Sequence, residues 1–211
     1  VPRNVRYVRV HKSVKIISQY AFNGCTNLVS IEMHDGVEII ERAAFGDCTS
    51  LRGIKLPGVR VIGAGAFREC TALVDVEFGD KLDAIGQYAF NRCALRTIKI
   101  AKVRVIEFAA FHSCKQLTDV ELSKDLETIE HKAFWKCPLL RRIALPLKDN
   151  LLGNQVFSEC DDLSKVDLVG GIHKTISSLL LESWRNEMNY EIHRINQDLP
   201  NTPHRDKTTA I

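Results

Sequence analysis

The chain has 211 residues, of which 45% are apolar, and its 29 basic and 26 acidic residues leave a formal net charge of +3. This length and apolar content allow one large domain or two small ones, each with a substantial buried core. The balanced charge argues against a nucleic-acid-binding or membrane-surface protein, and no run of 18 apolar residues predicts a membrane-spanning helix.

A pattern of the form Leu-x-x-Ile-x-Leu, with other aliphatic residues substituting, occurs eight times between Val5 and Leu168. Its alternation of apolar and polar residues predicts a short strand in each copy. Strands in equivalent positions of successive copies would pair in a parallel sheet, about 4.8 Å apart. A second apolar pair, such as Leu82 and Ile85, follows the strand and adds inward positions.

The later part of seven repeats ends in Phe-x-x-Cys, usually preceded by alanine. The seven cysteines are spaced by 23, 22, 23, 21, 23 and 23 residues. A fixed period of this length indicates a solenoid, in which each coil buries its inward side chains against the next coil. The Phe-x-x-Cys segments are predicted to form single helical or 3₁₀ turns on the side opposite the sheet. The predicted stacked core comprises Phe22, Cys25, Phe45, Cys48, Phe67, Cys70, Phe90, Cys93, Phe111, Cys114, Phe134, Cys137, Phe157 and Cys160.

The repeat resembles the BspA-type branch of the leucine-rich repeat family from Val5 to about Gly171. The best-preserved copy carries the resemblance through Leu73, Val76, Phe78, Leu82, Ile85, Gly86, Ala89, Phe90 and Cys93. The resemblance implies an α/β leucine-rich-repeat solenoid that is right-handed and curved, with a parallel β-sheet on its concave side and short turns on its convex side. It also implies protein recognition, in bacterial surface proteins and in proteins of unicellular eukaryotes.

The cysteines allow three interpretations. A zinc site needs four converging ligands, commonly in Cys-x-x-Cys pairs, and no two cysteines lie closer than 21 residues. Disulfides between stacked coils are possible geometrically, because equivalent positions would be about 5 Å apart, but seven is an odd number. We therefore predict a ladder of buried thiols, since cysteine behaves as a small apolar residue with a weak S–H donor.

The polar residues beside the central Ile of each strand point out of the sheet and form the predicted concave binding face. The residue after the central one alternates in charge over six strands, which predicts either a self-neutralising ladder of ion pairs or a striped recognition surface. Clustered positive charge, which nucleic-acid binding requires, is absent from this pattern. The candidate face comprises Tyr7, Arg9, Ser30, Glu32, Lys55, Asp75, Glu77, Thr97, Lys99, Asp119, Glu121, Arg142, Lys165 and Asp167.

A longer period of two coils is also visible, because Gly-Val-Arg-Val-Ile at 58–62 recurs as Lys-Val-Arg-Val-Ile at 102–106. These short connections alternate with longer ones such as Gly-Asp-Lys-Leu-Asp-Ala-Ile-Gly at 79–86. The alternation indicates that the coils come in pairs.

The pattern is irregular at 146–153, where Asp149 takes the place of an expected leucine. We interpret this as a bulge that lets the solenoid end, with a ligand-contacting loop as the alternative. The predicted organisation is a repeat domain over 1–171, an amphipathic capping helix over 172–199 and a flexible tail over 200–211. The apolar stripe of the helix is Ile176, Leu180, Trp184, Met188, Ile192 and Ile195.

The sequence contains no G-x-S-x-G, H-E-x-x-H, G-x-x-x-x-G-K or G-x-G-x-x-G motif, and its seven histidines are scattered at predicted surface positions. We therefore predict a non-catalytic protein-interaction module or scaffold without cofactor or metal, whose partner is another protein. Two alternatives stay open: a structural subunit of a larger assembly anchored by its C-terminal helix, and a cell-surface adhesin. The adhesin requires a signal peptide before Val1, whereas unpaired cysteines favour a reducing compartment.

Overall fold

The structure is a computed structural model that describes residues 2–146, 148 and 150–169. Within these residues the chain forms a parallel β-solenoid of about seven turns, which confirms the predicted architecture. Each coil contributes a strand to sheet A, and the first six coils then contribute a strand to sheet B. The predicted capping helix at 172–199 and the tail at 200–211 lie outside the described residues.

Sheet A contains the strands predicted from the Leu-x-x-Ile-x-Leu pattern, one in each of coils 1 to 8. It is hydrogen-bonded in three sections, in the orders β1-β3, β5-β7 and β9-β11-β13-β14. Its strands are β1 (Tyr7–Arg9), β3 (Ser30–Glu32), β5 (Gly53–Leu56), β7 (Asp75–Phe78), β9 (Thr97–Lys99), β11 (Asp119–Glu121), β13 (Arg142–Pro146) and β14 (Lys165–Val169).

Sheet B was not foreseen from the sequence as a sheet. The second apolar pair of each coil lies in a strand of two residues, and the six strands pair in one unbroken parallel ladder from β2 to β12. The inward residue of each strand is buried, and those of β4 to β12, such as Ile62 or Ile85, have no exposed surface. The strands are β2 (Ile16–Ile17), β4 (Ile39–Ile40), β6 (Val61–Ile62), β8 (Ala84–Ile85), β10 (Val105–Ile106) and β12 (Thr128–Ile129).

The Phe-x-x-Cys segments form turns whose backbone bonds alternate between two directions. Ala21 N–H donates to the carbonyl of Ser18 in its own coil, a 3₁₀-type bond, whereas Phe22 N–H donates to Ala44 of the next coil at 2.7 Å. The residues two before and two after each phenylalanine have positive φ, as Tyr88 and Arg92 do around Phe90. These left-handed residues bend the chain after each turn, so no helix develops in the described part of these segments.

The seven phenylalanine rings form a spine through the core. Successive rings stack with centroids 5.1 to 5.8 Å apart and with planes inclined by at most 20°. All but Phe22 are completely buried. The spine therefore ties each coil to both of its neighbours through contact between large apolar surfaces.

The cysteines form a hydrogen-bonded ladder beside the spine. All seven are free and buried. From Cys48 to Cys160, each thiol donates to the phenylalanine carbonyl of the preceding coil at 3.0 to 3.3 Å. That carbonyl also accepts the backbone N–H of the cysteine in its own coil, as Phe67 does from Cys70. Cysteine suits this position because it is small and apolar and still supplies a donor.

The irregular segment at 146–153 does not end the solenoid. Leu151 and Leu152 are buried, and Leu152 forms a parallel bridge with Ile129, in line with sheet B. Strand β14 of the following coil then pairs with β13 over five residues. Asp149, which stands where the repeat predicts a leucine, lies outside the described residues.

The left-handed turn positions yield a testable prediction at Gly24. Its φ is +70°, and a Cβ added there would meet no atom within 4 Å, so Gly24→Ala tests backbone conformation alone. We expect the free energy of unfolding to fall by about 1 kcal/mol, since a left-handed alanine is strained. Urea unfolding followed by circular dichroism measures the change.

Gly58→Ala is the matched control for the Gly24 substitution. Gly58 does not have a positive φ, but a Cβ there would overlap the carbonyl oxygen of Asp35 in the preceding coil. We expect a larger loss at Gly58, because backbone atoms would have to move apart. A Gly24→Ala variant as stable as the unsubstituted protein would contradict the role assigned to the left-handed turns.

Candidate interaction surface

The polar residues predicted for the concave face lie on one side of sheet A. The central residue of each strand points inward, as Ile54 and Ile98 do, and the residues beside it are exposed or half-buried on the other side, except for the buried Ala144 of β13. We call this outer side of sheet A the charged face. It carries Tyr7, Arg9, Ser30, Glu32, Lys55, Asp75, Glu77, Thr97, Lys99, Asp119, Glu121, Arg142, Lys165 and Asp167.

Oppositely charged residues on the charged face are paired two by two. Arg9 Nε lies 2.8 Å from Glu32 Oε2, and Lys55 Nζ lies 2.6 Å from Glu77 Oε2. A third pair joins Lys99 and Glu121 at 3.2 Å. These side chains are well exposed, with 81% of the Arg9 side chain accessible, so each pair contributes only about 0–1 kcal/mol.

Ion pairing on the charged face raises the pKa of a lysine, as expected for a cation beside a carboxylate. The hydrogen bond to Glu77, and its negative charge, raise the pKa of Lys55 above its ordinary value. The lysine therefore stays charged over the physiological range. The resulting pattern on the first six strands is three neutralised pairs and not a continuous row of alternating charges.

A denser charge cluster occupies the C-terminal end of the charged face. Arg142 bridges two neighbouring strands, with Nη1 3.0 Å from Asp119 Oδ1 and Nε 2.6 Å from Asp167 Oδ2. Only 33% of its side chain is exposed, and the bonds to Asp167 raise its pKa further. Lys165 adds a weaker contact to Asp167 at 3.7 Å. The cluster fixes the geometry of this end, where Ala144 interrupts the alternation of charge.

A second charged ladder lies along sheet B, and the sequence reasoning missed it. The residue preceding each strand of sheet B is exposed and alternates in sign along the first six coils, in the order Lys15, Glu38, Arg60, Asp83, Arg104 and Glu127. The backbone N–H of each later member donates to the carbonyl of the one before it at 2.8 Å. The signal was readable, because each of these residues stands directly before the second apolar pair.

The two ladders have the same order of signs. Coils 1, 3 and 5 are basic in both, and coils 2, 4 and 6 are acidic in both. In the sheet B ladder, Arg104 makes two bonds to Glu127, at 2.9 and 3.0 Å, and these raise its pKa. In coils 1 to 6, a coil that is basic at both ladder positions is thus followed by a coil that is acidic at both.

Three of the described histidines, His34, His112 and His131, are half-buried, which departs from the prediction of solvated surface side chains. His112 is half-buried, accepts a hydrogen bond at Nδ1 from the side-chain amide of Asn91 at 2.7 Å, and donates from Nε2 to Ser113 Oγ at 3.1 Å. Its ring stacks on Trp135 with centroids 4.8 Å apart. Burial, together with the charge of Lys136, lowers its pKa, so the neutral ring is a packing element of the convex side.

Two features are absent from the part of the chain that the structure describes. At 2–146, 148 and 150–169 there is no group of three or more His, Cys, Asp or Glu side chains arranged to hold a metal ion. In the same ranges, no helix has the length and apolarity to cross a membrane.

The sequence matches the BspA type leucine rich repeat region, in six copies, over residues 2–107 and 101–198. The chain belongs to this leucine-rich repeat family. No curated protein matches it.

Solved leucine-rich repeat proteins share the fold. One from T. pallidum is 29% identical with a TM-score of 0.58, over 85% of this chain and 86% of its own. One from Eubacterium ventriosum is 24% identical with a TM-score of 0.66, over 82% of this chain. A leucine rich cell surface protein from Faecalibacterium prausnitzii is 20% identical with a TM-score of 0.55, over 88% of this chain. The chain spans 62% of the Faecalibacterium protein and 46% of the Eubacterium protein.

Proposed function

We propose that the chain is a non-catalytic protein-interaction module that binds a protein partner on the charged face. The observation that carries the proposal is the charged face itself, an exposed surface built on short parallel strands that lie on a continuous buried core. Repeat proteins of this architecture use such extended surfaces to bind other proteins.

The weak ion pairs support recognition better than they support stability. Each exposed pair contributes about 0–1 kcal/mol to folding, so three pairs add little to a core of this size. Their charges are nevertheless held in a defined pattern, which gives specificity and faster association to a partner with complementary charges. A structural subunit or a cell-surface adhesin would use the same rigid solenoid but would be held in place by segments outside residues 2–169.

Exchanging the two residues within each pair tests the proposal. A variant with Lys55→Glu, Glu77→Lys, Lys99→Glu and Glu121→Lys keeps both ion pairs and the net charge but inverts the pattern that a partner meets. We expect affinity for the co-purifying protein partner to fall at least tenfold, while stability in urea stays within about 0.5 kcal/mol. Titration of the purified partner measures the affinity.

The matched control exchanges Arg104 and Glu127, an equally well-formed pair that lies on sheet B. We expect this exchange to leave partner affinity unchanged. Equal affinity for all three proteins, or an equal loss in both variants, would remove the charged face as the binding site.

A further inference from the structure

We infer that the charged face consists of three plates joined at two seams that open and close, while sheet B and the Phe-x-x-Cys turns hold the coils together across each junction. The first seam lies between β3 and β5, and the second lies between β7 and β9. The plates are the three hydrogen-bonded sections of sheet A described above. The movement of the plates does not depend on the proposed function, but its use to fit a protein partner rests on that proposal.

The seams lack the contacts that hold neighbouring strands together inside a plate. Sheet A has no strand pairing at either seam among the described residues, and the nearest bond is a long one of 3.4 Å from Arg96 N–H to the carbonyl of Val74. The ion pairs follow the same division. Glu32 and Glu77 pair with the preceding Arg9 and Lys55, and among the described residues of the charged face no ion pair crosses a seam.

Backbone groups at a seam must therefore find partners in solvent. Ser30 N–H points to the preceding coil, where it donates to the carbonyl of Arg6. Residues two apart on a strand point the same way, so the equivalent N–H groups of Lys55 and Lys99 point across the seams. An unpaired backbone group at an exposed position bonds to water instead, so opening a seam breaks few protein hydrogen bonds.

Sheet B and the core are continuous across both seams. At the first seam, Arg60 N–H donates to Glu38 at 2.8 Å, and the rings of Phe45 and Phe67 stack 5.1 Å apart. At the second seam, Arg104 N–H donates to Asp83 at 2.8 Å. The Phe-x-x-Cys turns are also bonded across both junctions, through Phe45 N–H to Ala66 at 2.7 Å and Phe90 N–H to Ala110 at 2.8 Å. Because sheet B and the turns are bonded and sheet A is not, sheet A can open at the seams without loss of the spine.

The seams coincide with a difference in coil length. In coils 2 and 4, the inward residue of sheet B lies nine positions after the central residue of the sheet A strand. These intervals run from Ile31 to Ile40 and from Val76 to Ile85. In coils 3 and 5 the same spacing is eight positions, from Ile54 to Ile62 and from Ile98 to Ile106. Each seam lies where a short coil follows a long one, which shows that the shortened connection accompanies the loss of pairing in sheet A.

Amide hydrogen exchange measured by NMR on the free chain tests the inference. We expect the amides of Lys55 and Lys99, which face the seams, to exchange at least tenfold faster than those of Glu77 and Glu121, after correction for intrinsic rates. The latter occupy the same strand position but face a neighbour inside their plate. The sheet B amides of Arg60 and Arg104 are the controls, and we expect them to remain protected because they cross the same junctions.

Two outcomes would overturn the inference. Equal protection of the Lys55, Lys99, Glu77 and Glu121 amides would mean that sheet A is closed at the seams. Fast exchange at Arg60 and Arg104 as well would mean that the whole junction opens, so that sheet B does not hold the coils together. Neither outcome depends on a partner, so failure here is distinguishable from failure of the charge-exchange experiment.

Discussion

Replacing Phe90 by alanine is expected to lower the free energy of unfolding by about 3–5 kcal/mol. The Phe90 ring is fully buried in the middle of the spine, with the rings of Phe67 and Phe111 at 5.1 and 5.3 Å. Phe78 also contacts its edge at 5.8 Å. The substitution removes contacts to two neighbouring coils and leaves a cavity that rigid stacked strands cannot close. Urea unfolding followed by circular dichroism gives the loss.

The control is Phe22→Ala at the N-terminal end of the described spine. Phe22 stacks on Phe45 alone and is 8% exposed, so the cavity is open on one side and the loss is expected to be smaller. Equal losses at Phe90 and Phe22, or a loss below about 1.5 kcal/mol at Phe90, would contradict the spine as the main connection between coils.

Raising the pH above 9 is expected to destabilise the protein through its buried thiols. Burial raises the pKa of Cys114 to about 12 from an ordinary value of 9.0, and it also raises the pKa values of Cys93 and Cys137. Between these values the unfolded chain loses a proton that the native protein keeps. The unfolded state then binds fewer protons, so stability falls by about 1.4 kcal/mol per pH unit for each such thiol.

Comparison with Cys114→Ala isolates the contribution of one thiol. Lysines and tyrosines titrate in both proteins, so the difference between their slopes belongs to Cys114. With reductant present, we expect the free energy of unfolding between pH 9 and 10 to fall by about 1 kcal/mol less in the variant, since the unfolded thiol is already half ionised at pH 9. Parallel slopes in the two proteins would show that the Cys114 thiol is not held protonated by burial.

The coil and its inward positions could be predicted from the sequence because they depend on residue type at a fixed period. Phe67 and Cys70, for example, recur with their neighbours at equivalent positions, and burial of both follows from stacking. Sheet B could not be recognised in the same way. A strand of two residues, such as Ala84–Ile85, is too short to show the alternation that identifies a strand.

The division of the charged face also escaped prediction. The signs of Glu32 and Lys55 fit an ion pair as well as those of Lys55 and Glu77 do, and only the three-dimensional course of the shortened coils decides which pair forms. The left-handed turns were hidden for a different reason. Glycine marks such a position in sequence, but residues such as Tyr20 and Ala43 occupy most of them here.

The matching order of signs in the two charged ladders restricts how the gene for such a protein can lengthen or shorten. Loss of one coil, for instance the coil of Lys55 and Arg60, would bring Glu32 against Glu77 and Glu38 against Asp83. Loss of two adjacent coils would restore attraction at both places. Recombination that copies or deletes coils two at a time therefore keeps coils of opposite charge next to each other. We expect related proteins to differ by an even number of coils.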